Sequence, residues 1–251
     1  MARGTVLVTS PIRASWHVGR VASHRPETTS AVRLELDVPT WPGNHAGSHL
    51  DVRLTAPDGY QATRSYSVAS SGETTRVILA VDELPSGEVS PYLVHQLAEG
   101  DELEVHGPLG RYFVWTPTEP DRSPVQLIAG GSGVVPLFAM AAAREHETVD
   151  AEFRLLYSVR TPEDVFFAEE LSALSKTTVD VVHTRTSPPG SPRAPGRLTQ
   201  ESVADLVFPA TATPRIFLCG PTPFVETIAG WLLQLGHDPT RIRTERFGGS
   251  G

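Results

Sequence analysis

The sequence predicts a fold of two domains, an antiparallel β-barrel followed by an α/β domain with a doubly wound, five-stranded parallel sheet. In the first half, short segments alternate apolar and polar residues and are separated by turn residues. In the second half, strand-like segments alternate with helical patterns. Between the halves, residues 116–124 are proline-rich and poor in apolar residues, which indicates a linker. We therefore predict a tail at 1–15, the barrel at 16–118 and the α/β domain at 119–251.

The barrel strands are predicted from a period of two residues. The strand-like segments of the first half are 31–38, 50–54, 76–81 and 102–105, and a further one contains Arg64-Ser65-Tyr66-Ser67. Only residues 89–97 are typical of a helix in this half. Many short strands with a single helix favour an antiparallel barrel.

The α/β domain begins with residues 125–129, a continuous apolar run that is typical of a strand buried on both faces. The remaining strands are predicted at 153–157, 178–182, 215–218 and 242–245, and the helices at 136–145, 162–174, 199–206 and 223–235. This alternation predicts a parallel sheet with crossover helices.

Composition excludes several classes of function. The chain is 39% apolar and 20% charged, with no apolar run long enough to cross a bilayer. The first twenty residues lack the apolar core of a signal peptide, so we expect a cytoplasmic protein. A net charge of −8 disfavours nucleic acid as a partner. The single cysteine, Cys219, excludes an intrachain disulfide and an iron–sulfur cluster held by this chain alone.

Arg64-Ser65-Tyr66-Ser67 combines a cation, an aromatic ring and hydroxyl groups, which are the groups that a flavin nucleotide requires. Taken alone, this tetrapeptide is more often part of an ordinary half-exposed strand. The ordered motifs behind it favour the flavin site: Gly87-Glu88-Val89-Ser90, Gly107-Pro108-Leu109-Gly110, Gly130-Gly131-Ser132-Gly133 and Cys219-Gly220-Pro221.

Gly130-Gly131-Ser132-Gly133 follows a predicted buried strand and opens a helix. Glycines allow a phosphate to approach the backbone, and a helix N-terminus offers free amides, so the motif predicts a pyrophosphate site. It departs from the dinucleotide fingerprint at Pro136, where the last glycine would stand. A tight strand-to-helix turn without a ligand is the alternative.

Cys219-Gly220-Pro221 ends a predicted central strand, at the sheet edge where open α/β folds bind ligands. Cys219 could be a nucleophile, an inert buried thiol or a wall of a nicotinamide pocket. Three arginines follow strand ends at the same edge, namely Arg160, Arg185 and Arg197. Each alone is typical of a solvated surface, but together they could clamp a 2′-phosphate.

A metal site is not expected. His45 and His49 have zinc-ligand spacing, but Pro42, Gly47 and the missing adjacent glutamate indicate a loop rather than a metalloprotease helix. The carboxylates show no metal-ligand regularity.

The ordered motifs resemble those of the ferredoxin–NADP reductase superfamily of flavoproteins, from about Trp16 to the C-terminus. The resemblance implies an FAD-binding barrel and a nicotinamide-nucleotide domain. It implies that Arg64 binds flavin phosphate, that Tyr66 packs along the ring with Ser65 beside it, and that Ser67 lies near flavin N5. The other residues that it implies are Gly87, Val89 and Ser90 for the FAD pyrophosphate; Gly131, Ser132 and Gly133 for the NAD(P)H pyrophosphate; and Cys219, Gly220 and Phe247 around the nicotinamide and the flavin face.

The resemblance also bears on cofactor choice. Arg160, Arg185 and Arg197 resemble the 2′-phosphate ligands of NADPH-using members, so NADPH is expected in preference to NADH. Asp82 and Glu83 stand where relatives often place a basic residue near the adenosine half of FAD. This acidic pair weakens the case for FAD over FMN, although the helix at Ser90 still offers a pyrophosphate site. FAD is the expected flavin, and FMN is the alternative.

The function that these features predict is an NAD(P)H-dependent flavoprotein reductase. Hydride would pass from the nicotinamide to the flavin, with Ser67, Cys219 and Glu245 at the reacting atoms. Single electrons would then leave for a small molecule or for an acceptor on a separate chain, such as a ferredoxin, another iron–sulfur protein, a molybdenum protein or a haem protein. The alternatives are a flavin-binding regulatory or adaptor subunit without nicotinamide turnover, and a two-domain protein without any cofactor.

Overall fold

The first sheet has six antiparallel strands in the order β4-β3-β6-β1-β2-β5. The structure is a computed structural model that describes residues 13–117, 121–148 and 151–247. An isolated bridge between Val68 and Leu79 connects the chain after β4 to the far edge strand, so the sheet curls towards closure. The elements are β1 (Ser15–Pro26), β2 (Ala31–Asp37), β3 (His49–Thr55), β4 (Gln61–Ser67), β5 (Arg76–Asp82), α1 (Ser90–His95) and β6 (Glu102–Leu109).

Strand β1 is the longest strand of this sheet, and the sequence did not delimit it. Its side chains alternate between exposed and buried positions, as in the other strands. However, two of the inward positions are His17 and Gly19, which carry no apolar signal. Burial of the polar His17 ring is tolerated because both ring nitrogens have hydrogen-bond partners: Nδ1 lies 2.7 Å from Thr40 Oγ1, and Nε2 lies 3.3 Å from the Gly107 carbonyl oxygen.

The second sheet has five parallel strands in the order β11-β10-β7-β8-β9. Strand β7 lies at its centre, and all six of its residues are buried. The elements are β7 (Val125–Gly130), α2 (Val134–His146), β8 (Phe153–Val159), α3 (Ala168–Ala173), β9 (Thr177–His183), α4 (Gln200–Leu206), β10 (Arg215–Pro221), α5 (Thr222–Gln234) and β11 (Ile242–Phe247).

The predicted fold class is confirmed, since an antiparallel curled sheet precedes a five-stranded parallel sheet with helices. The continuous helix predicted at 162–174 is wrong. A 3₁₀ turn at Pro162–Asp164 and helix α3 are separated by Phe167, whose φ of 55° lies in the left-handed region. The predicted boundary at 118/119 and most of the predicted tail at 1–15 lie outside the described residues, so this division stays a prediction.

The two sheets share a hydrophobic core. Phe113 and Trp115, which follow β6, pack edge-on against Phe217 and Phe153 of the parallel sheet, with ring centroids 5.6 and 5.1 Å apart. This shared core fixes the end of β4 near the end of β11, where the candidate site lies.

Within the described residues, no helix is long and apolar enough to cross a membrane. The longest helices, α2 and α5, have 13 residues each, whereas a membrane-spanning helix needs about 20.

Candidate functional site

A cleft lies where the end of β4 meets the end of β11. Its volume is about 260 Å³. It brings together residues that are about 180 positions apart in the sequence, namely His49, Ser65, Tyr66, Ser67, Glu245, Arg246 and Phe247. Five of these seven, all except His49 and Arg246, were predicted as site residues from the sequence.

Ser67 and Glu245 form the contact between the two domains in this cleft. Ser67 Oγ donates a hydrogen bond to Glu245 Oε1 at 3.3 Å. Burial raises the pKa of Glu245 above its ordinary value, and the hydrogen bond from Ser67 opposes this only in part. The carboxyl group therefore keeps its proton to a higher pH than an exposed glutamate, which suits a group that exchanges a proton in the cleft.

Tyr66 supplies the aromatic wall of the cleft. Burial raises the pKa of its hydroxyl to about 12, although the charge of Arg64 lowers it somewhat. The side chain is therefore neutral at physiological pH. A half-buried neutral ring on a strand can stack against a flat apolar ligand.

His49 is a cleft residue that the sequence analysis considered only as a metal ligand. It stands directly opposite Ser67 in the pairing of β3 with β4. Burial lowers the pKa of its imidazole, while the nearby charge of Asp51 acts in the opposite direction. The strand pairing that places it in the cleft is the signal that could have identified it. No group of three metal-binding side chains occurs among the described residues.

Arg64 lies towards the other end of β4 and holds an anion. Its Nη2 is 2.8 Å from Glu88 Oε2, and its Nη1 donates to the Thr63 carbonyl oxygen at 2.7 Å. Glu88 Oε1 also accepts a hydrogen bond from the Tyr60 hydroxyl at 2.8 Å. A carboxylate of this protein thus occupies the position beside Arg64 that the sequence predicts for a flavin phosphate, so the site is built for negative charge. Sequence reasoning did not assign Glu88 or Tyr60 to the site.

Ser65 differs from its neighbours because it faces the other side of the strand. Its Oγ donates to Asp51 Oδ1 at 2.5 Å on the adjacent strand. Side chains on a strand alternate between faces, so Arg64 and Tyr66 share a face that the Ser65 side chain does not. Only its position along the cleft supports a place for Ser65 in the predicted site.

The loop before α1 carries Gly87 and Val89, and Ser90 is the first residue of the helix. Ser90 Oγ accepts a hydrogen bond from the Leu84 amide at 3.0 Å, and the Gly87 amide donates to the Leu84 carbonyl at 2.7 Å. Val89 is fully buried in the barrel core. These contacts close the loop and place Glu88 against Arg64, so the loop and β4 together define one anion site.

A cavity of about 630 Å³ adjoins this anion site. Its walls include Tyr60, Glu88 and Tyr92. It is the larger of the two spaces, but it lies away from Ser67 and Glu245, so it cannot be where those groups act. Tyr60 and Tyr92 offer ring surfaces to the adenosine end of a dinucleotide, whereas Glu88, Glu102 and Glu104 in the same walls do not favour a second phosphate. Arg64 therefore fits the first phosphate of a flavin nucleotide, and the cavity fits its adenosine end.

The glycine loop lies beside the cleft on the α/β side. A Cβ at Gly133 would lie 2.4 Å from the Cys219 carbonyl oxygen, so this glycine allows two backbone segments to touch. Gly131 has a φ of 54° and open space around it. The loop thus leaves Gly131 and Ser132 accessible at the N-terminus of the 13-residue helix α2, a position that favours an anion.

Cys219 and Gly220 form the floor between the glycine loop and Glu245. Cys219 pairs with Glu245 on one side and with Ala129 on the other. Burial, aided by the negative charge of Glu245, raises the pKa of the Cys219 thiol well above its ordinary value. A buried neutral thiol disfavours the nucleophile among the three alternatives for this residue.

A further cavity of about 480 Å³ lies at the carboxyl edge of the parallel sheet. Its walls include Ser158, Thr184, Arg197, Phe224 and Trp231. Of the three predicted phosphate ligands, Arg197 lines this cavity.

Arg160 and Arg185 lie at the same edge but outside the walls of that cavity. The Arg185 amide donates to the Arg160 carbonyl at 2.9 Å, so the two backbones are adjacent. The Arg160 guanidinium forms two hydrogen bonds with Asp164, at 2.8 and 3.2 Å. Arg160 is therefore already engaged with a carboxylate.

Comparison with known proteins agrees with this arrangement. Residues 22–114 match the family described as the oxidoreductase FAD-binding domain. Residues 127–230 match the oxidoreductase NAD-binding domain. The two matches follow the order of the two sheets along the chain, and β11, which carries Glu245, lies beyond the second match.

Similar proteins include the glycine betaine monooxygenase reductase subunit of Chromohalobacter salexigens, 30% identical over 82% of this chain and 56% of that protein. The propane 2-monooxygenase reductase component of Mycolicibacterium smegmatis is 29% identical over 82% of this chain and 60% of the relative. The chain thus spans a little over half the length of these curated relatives.

Among solved structures, phthalate dioxygenase reductase is 26% identical, with a TM-score of 0.73, over 94% of this chain and 69% of that one. The FAD/NAD-binding domain of nitric oxide dioxygenase from Vibrio cholerae shares the fold, with a TM-score of 0.79, 23% identity, and coverage of 93% and 99% of the two chains. Membership of a family follows from the two domain matches and from the likeness to phthalate dioxygenase reductase. The chain belongs to the ferredoxin–NADP reductase superfamily of FAD- and NAD(P)-dependent oxidoreductases.

Proposed function

We propose that this chain takes a hydride from NADPH or NADH onto FAD and passes single electrons to an acceptor on a separate protein. The observation that carries the proposal is the cleft in which Tyr66 and Ser67 of the barrel meet Glu245 of the α/β domain. The glycine loop and Cys219 lie directly behind it. Such a cleft holds a flat ring on one side and admits a second ring from the other, so orientation supplies much of the rate enhancement.

FAD, when bound, supplies hydride acceptance from nicotinamide and one-electron release to the acceptor. Arg64 would bind its phosphate in place of Glu88, and the cavity beside Tyr60 would receive the part beyond. Tyr66 would line the flat ring. Asp82 and Glu83 do not favour a further phosphate, but the match to the FAD-binding domain supports FAD over FMN.

The protein's part in the reaction is to position groups and to manage one proton. Ser67 orients the Glu245 carboxyl group through the 3.3 Å hydrogen bond. Because burial raises the pKa of Glu245, this group can hold a proton near the reacting atoms and exchange it as charge develops there. Cys219 would act as a neutral wall and not as a base or nucleophile.

The proposed preference for NADPH rests on Arg185 and Arg197. Arg197 lines the cavity at the sheet edge, and Arg185 lies next to Arg160, which is engaged with Asp164. Replacing both Arg185 and Arg197 by alanine should raise KM for NADPH much more than KM for NADH, because only NADPH carries the 2′-phosphate. Equal effects on the two values of KM would remove the preference from the proposal.

The acceptor is proposed from the relatives. Similar proteins are named as the reductase subunit or component of glycine betaine and propane monooxygenases. We propose a redox protein of the same general kind, carrying an iron–sulfur, haem or molybdenum centre, as the acceptor here.

The direct test is the anaerobic visible spectrum of the purified protein, loaded with FAD if necessary, before and after addition of NADPH or NADH. Bleaching of the flavin by either nucleotide supports the reductase, and faster bleaching by NADPH supports the preference. A flavin that neither nucleotide bleaches would favour the regulatory or adaptor subunit. A protein that binds no flavin would overturn the proposal.

A further inference from the structure

The barrel contains a buried ion pair that faces the α/β domain. Its two residues are about 100 positions from the glycine loop in the sequence. Glu27 follows β1, and Arg33 lies on β2. Their side chains are only 5% and 8% exposed. The Arg33 guanidinium binds both oxygens of the Glu27 carboxylate, through Nε at 2.5 Å and Nη2 at 3.0 Å. Buried charges persist in proteins when they are paired and hydrogen-bonded in this way.

This pair reaches the α/β domain through two contacts. Glu27 Oε1 accepts a hydrogen bond from the Phe167 backbone amide, and Arg33 Nη1 donates to the Glu170 carboxylate on α3. Burial alone would lower the pKa of Arg33, but the hydrogen bonds to Glu27 and Glu170 raise it. The hydrogen bond from Arg33 lowers the pKa of Glu170. The charges of both domains therefore form one network.

Phe167 is held in an unusual conformation at the centre of this network. Its φ is 55°, a left-handed value that phenylalanine rarely adopts and that persists only when the surroundings enforce it. The Arg33 guanidinium lies 4.5 Å from the centre of its ring, and the Phe138 ring stacks parallel to it at 4.1 Å. The Arg33 guanidinium and the Phe138 ring are both too close to the Phe167 ring to lie on the same face of it. The Phe167 ring therefore packs between Arg33 of the barrel and Phe138 of α2.

Phe138 lies in the second turn of α2, and α2 begins directly after the glycine loop. A continuous set of contacts thus runs from the buried pair of the barrel, through one ring stack, to the helix that carries the candidate pyrophosphate site.

We propose that Glu27, Arg33, Phe167 and Glu170, here called the interdomain clamp, are positioning residues for hydride transfer. The inference rests on the proposed function. The clamp fixes the rotation and depth of α2 against the barrel, and so the distance between a nicotinamide held by the glycine loop and a flavin held by Tyr66 and Ser67. No clamp residue touches the cleft. Its effect is on the geometry of the bound reactants, to which rates are sensitive on a scale of about 1 Å.

The test compares Glu170→Ala with Glu169→Ala. Glu170 can be changed without stranding a buried charge, because its side chain is 41% exposed and the Glu27–Arg33 pair remains. Glu169 is an exposed carboxylate in the same turn of α3 and is the matched control. In single-turnover experiments, Glu170→Ala should lower the rate constant of flavin reduction at saturating nucleotide by about tenfold. The dissociation constants of FAD and of the nucleotide should stay unchanged, and Glu170→Gln should recover part of the rate.

Two results would overturn the inference: a wild-type rate constant for Glu170→Ala at saturating nucleotide, or an equal loss in Glu169→Ala. A readout without activity covers the case in which the proposed function itself fails and wild-type flavin is not bleached. Hydrogen exchange of the amides of residues 131–138 should be faster in Glu170→Ala than in Glu169→Ala. Equal exchange in the two variants would then contradict the clamp, whatever the chemistry of the protein.

Discussion

At the residue scale, Glu245 makes stability depend on pH. Because its folded pKa is raised above the ordinary 4.5, the folded protein keeps a proton that the unfolded chain has lost. The contribution of this group to the free energy of unfolding is therefore complete below pH 4.5 and is lost as the pH rises through the raised value. Glu245→Gln cannot ionise, so its stability relative to wild type should grow as the pH rises through that window.

Urea unfolding of both proteins at a series of pH values from about 5 to 8.5 measures this difference. The exposed Glu73 provides the control variant Glu73→Gln, which should show a difference from wild type that does not follow this window. A Glu245→Gln difference that is constant over the whole range would show that the carboxyl group is not desolvated as the structure has it.

At the same scale, the flavin affinity of Arg64→Ala tests the anion site. Removing a cation that forms a charge-assisted bond to phosphate costs about 1.5–3 kcal/mol, so Arg64→Ala should weaken flavin binding by about 10- to 100-fold. The matched control is Arg76→Ala, because the two side chains are similarly exposed, 52% and 55%, and both pair with surface carboxylates. Flavin dissociation constants can be measured by fluorescence quenching.

Glu88→Gln, at the same anion site, should change the flavin affinity in the opposite direction. Without the competing carboxylate, Arg64 is free for phosphate, and the flavin should bind several-fold more tightly, in keeping with an exposed ion pair worth about 0.2–1 kcal/mol. If the flavin affinity were unchanged in both Arg64→Ala and Glu88→Gln, the flavin phosphate would not bind beside β4.

At the scale of elements, the glycine loop packs directly on β10. A Cβ at Gly133 would lie 2.4 Å from the Cys219 carbonyl oxygen, and a backbone atom cannot move aside as a flexible side chain does. Gly133→Ala should therefore destabilise the protein by about 1–3 kcal/mol and weaken nucleotide binding as the loop shifts.

Gly230→Ala in α5 is the control for that substitution. An added Cβ there meets nothing within 4 Å, and alanine is a better helix former by about 1 kcal/mol. Thermal unfolding and nucleotide titration should separate the two variants in opposite directions. Wild-type stability in Gly133→Ala would show that the loop does not need this close approach.

The same elements show what the sequence could predict. The prediction of strand β7 was correct because a strand buried on both faces gives a nearly continuous apolar run in the sequence. The helix predicted at 162–174 was wrong because the apolar pattern cannot reveal that a barrel carboxylate holds the Phe167 amide in a left-handed turn.

Some site residues could be predicted from the sequence and others could not. Tyr66, Ser67 and Glu245 were predicted from motifs and do meet in one cleft. Glu88 and His49 were missed, because a charged loop residue and a lone histidine acquire meaning only from the strand that lies opposite. Glu27 and Arg33 likewise look like solvated charges in a sequence, and only the packing of the two domains buries them.

At the scale of the whole molecule, the two domains should unfold together. One of their hydrophobic clusters contains residues of both domains, and Trp115, only 1% exposed, stands in it where the barrel chain packs on Phe153 of the parallel sheet. Trp115→Ala should cost about 3–5 kcal/mol in the free energy of unfolding, because it opens a cavity at the junction. Trp16→Ala should cost less than about 1 kcal/mol, because that ring is 45% exposed and its ring contacts are with the side chains of Arg53 and His106 near the surface.

In urea, flavin release reports on the barrel and far-UV circular dichroism reports on both domains. A shared core requires the two transitions to coincide in the wild-type protein and to move together in Trp115→Ala. If flavin release instead preceded the loss of helix in the wild-type protein, the domains would be separate folding units. The relative position of β4 and β11 would then have to come from bound cofactor, because a core that melts in two steps cannot hold Ser67 against Glu245 by itself.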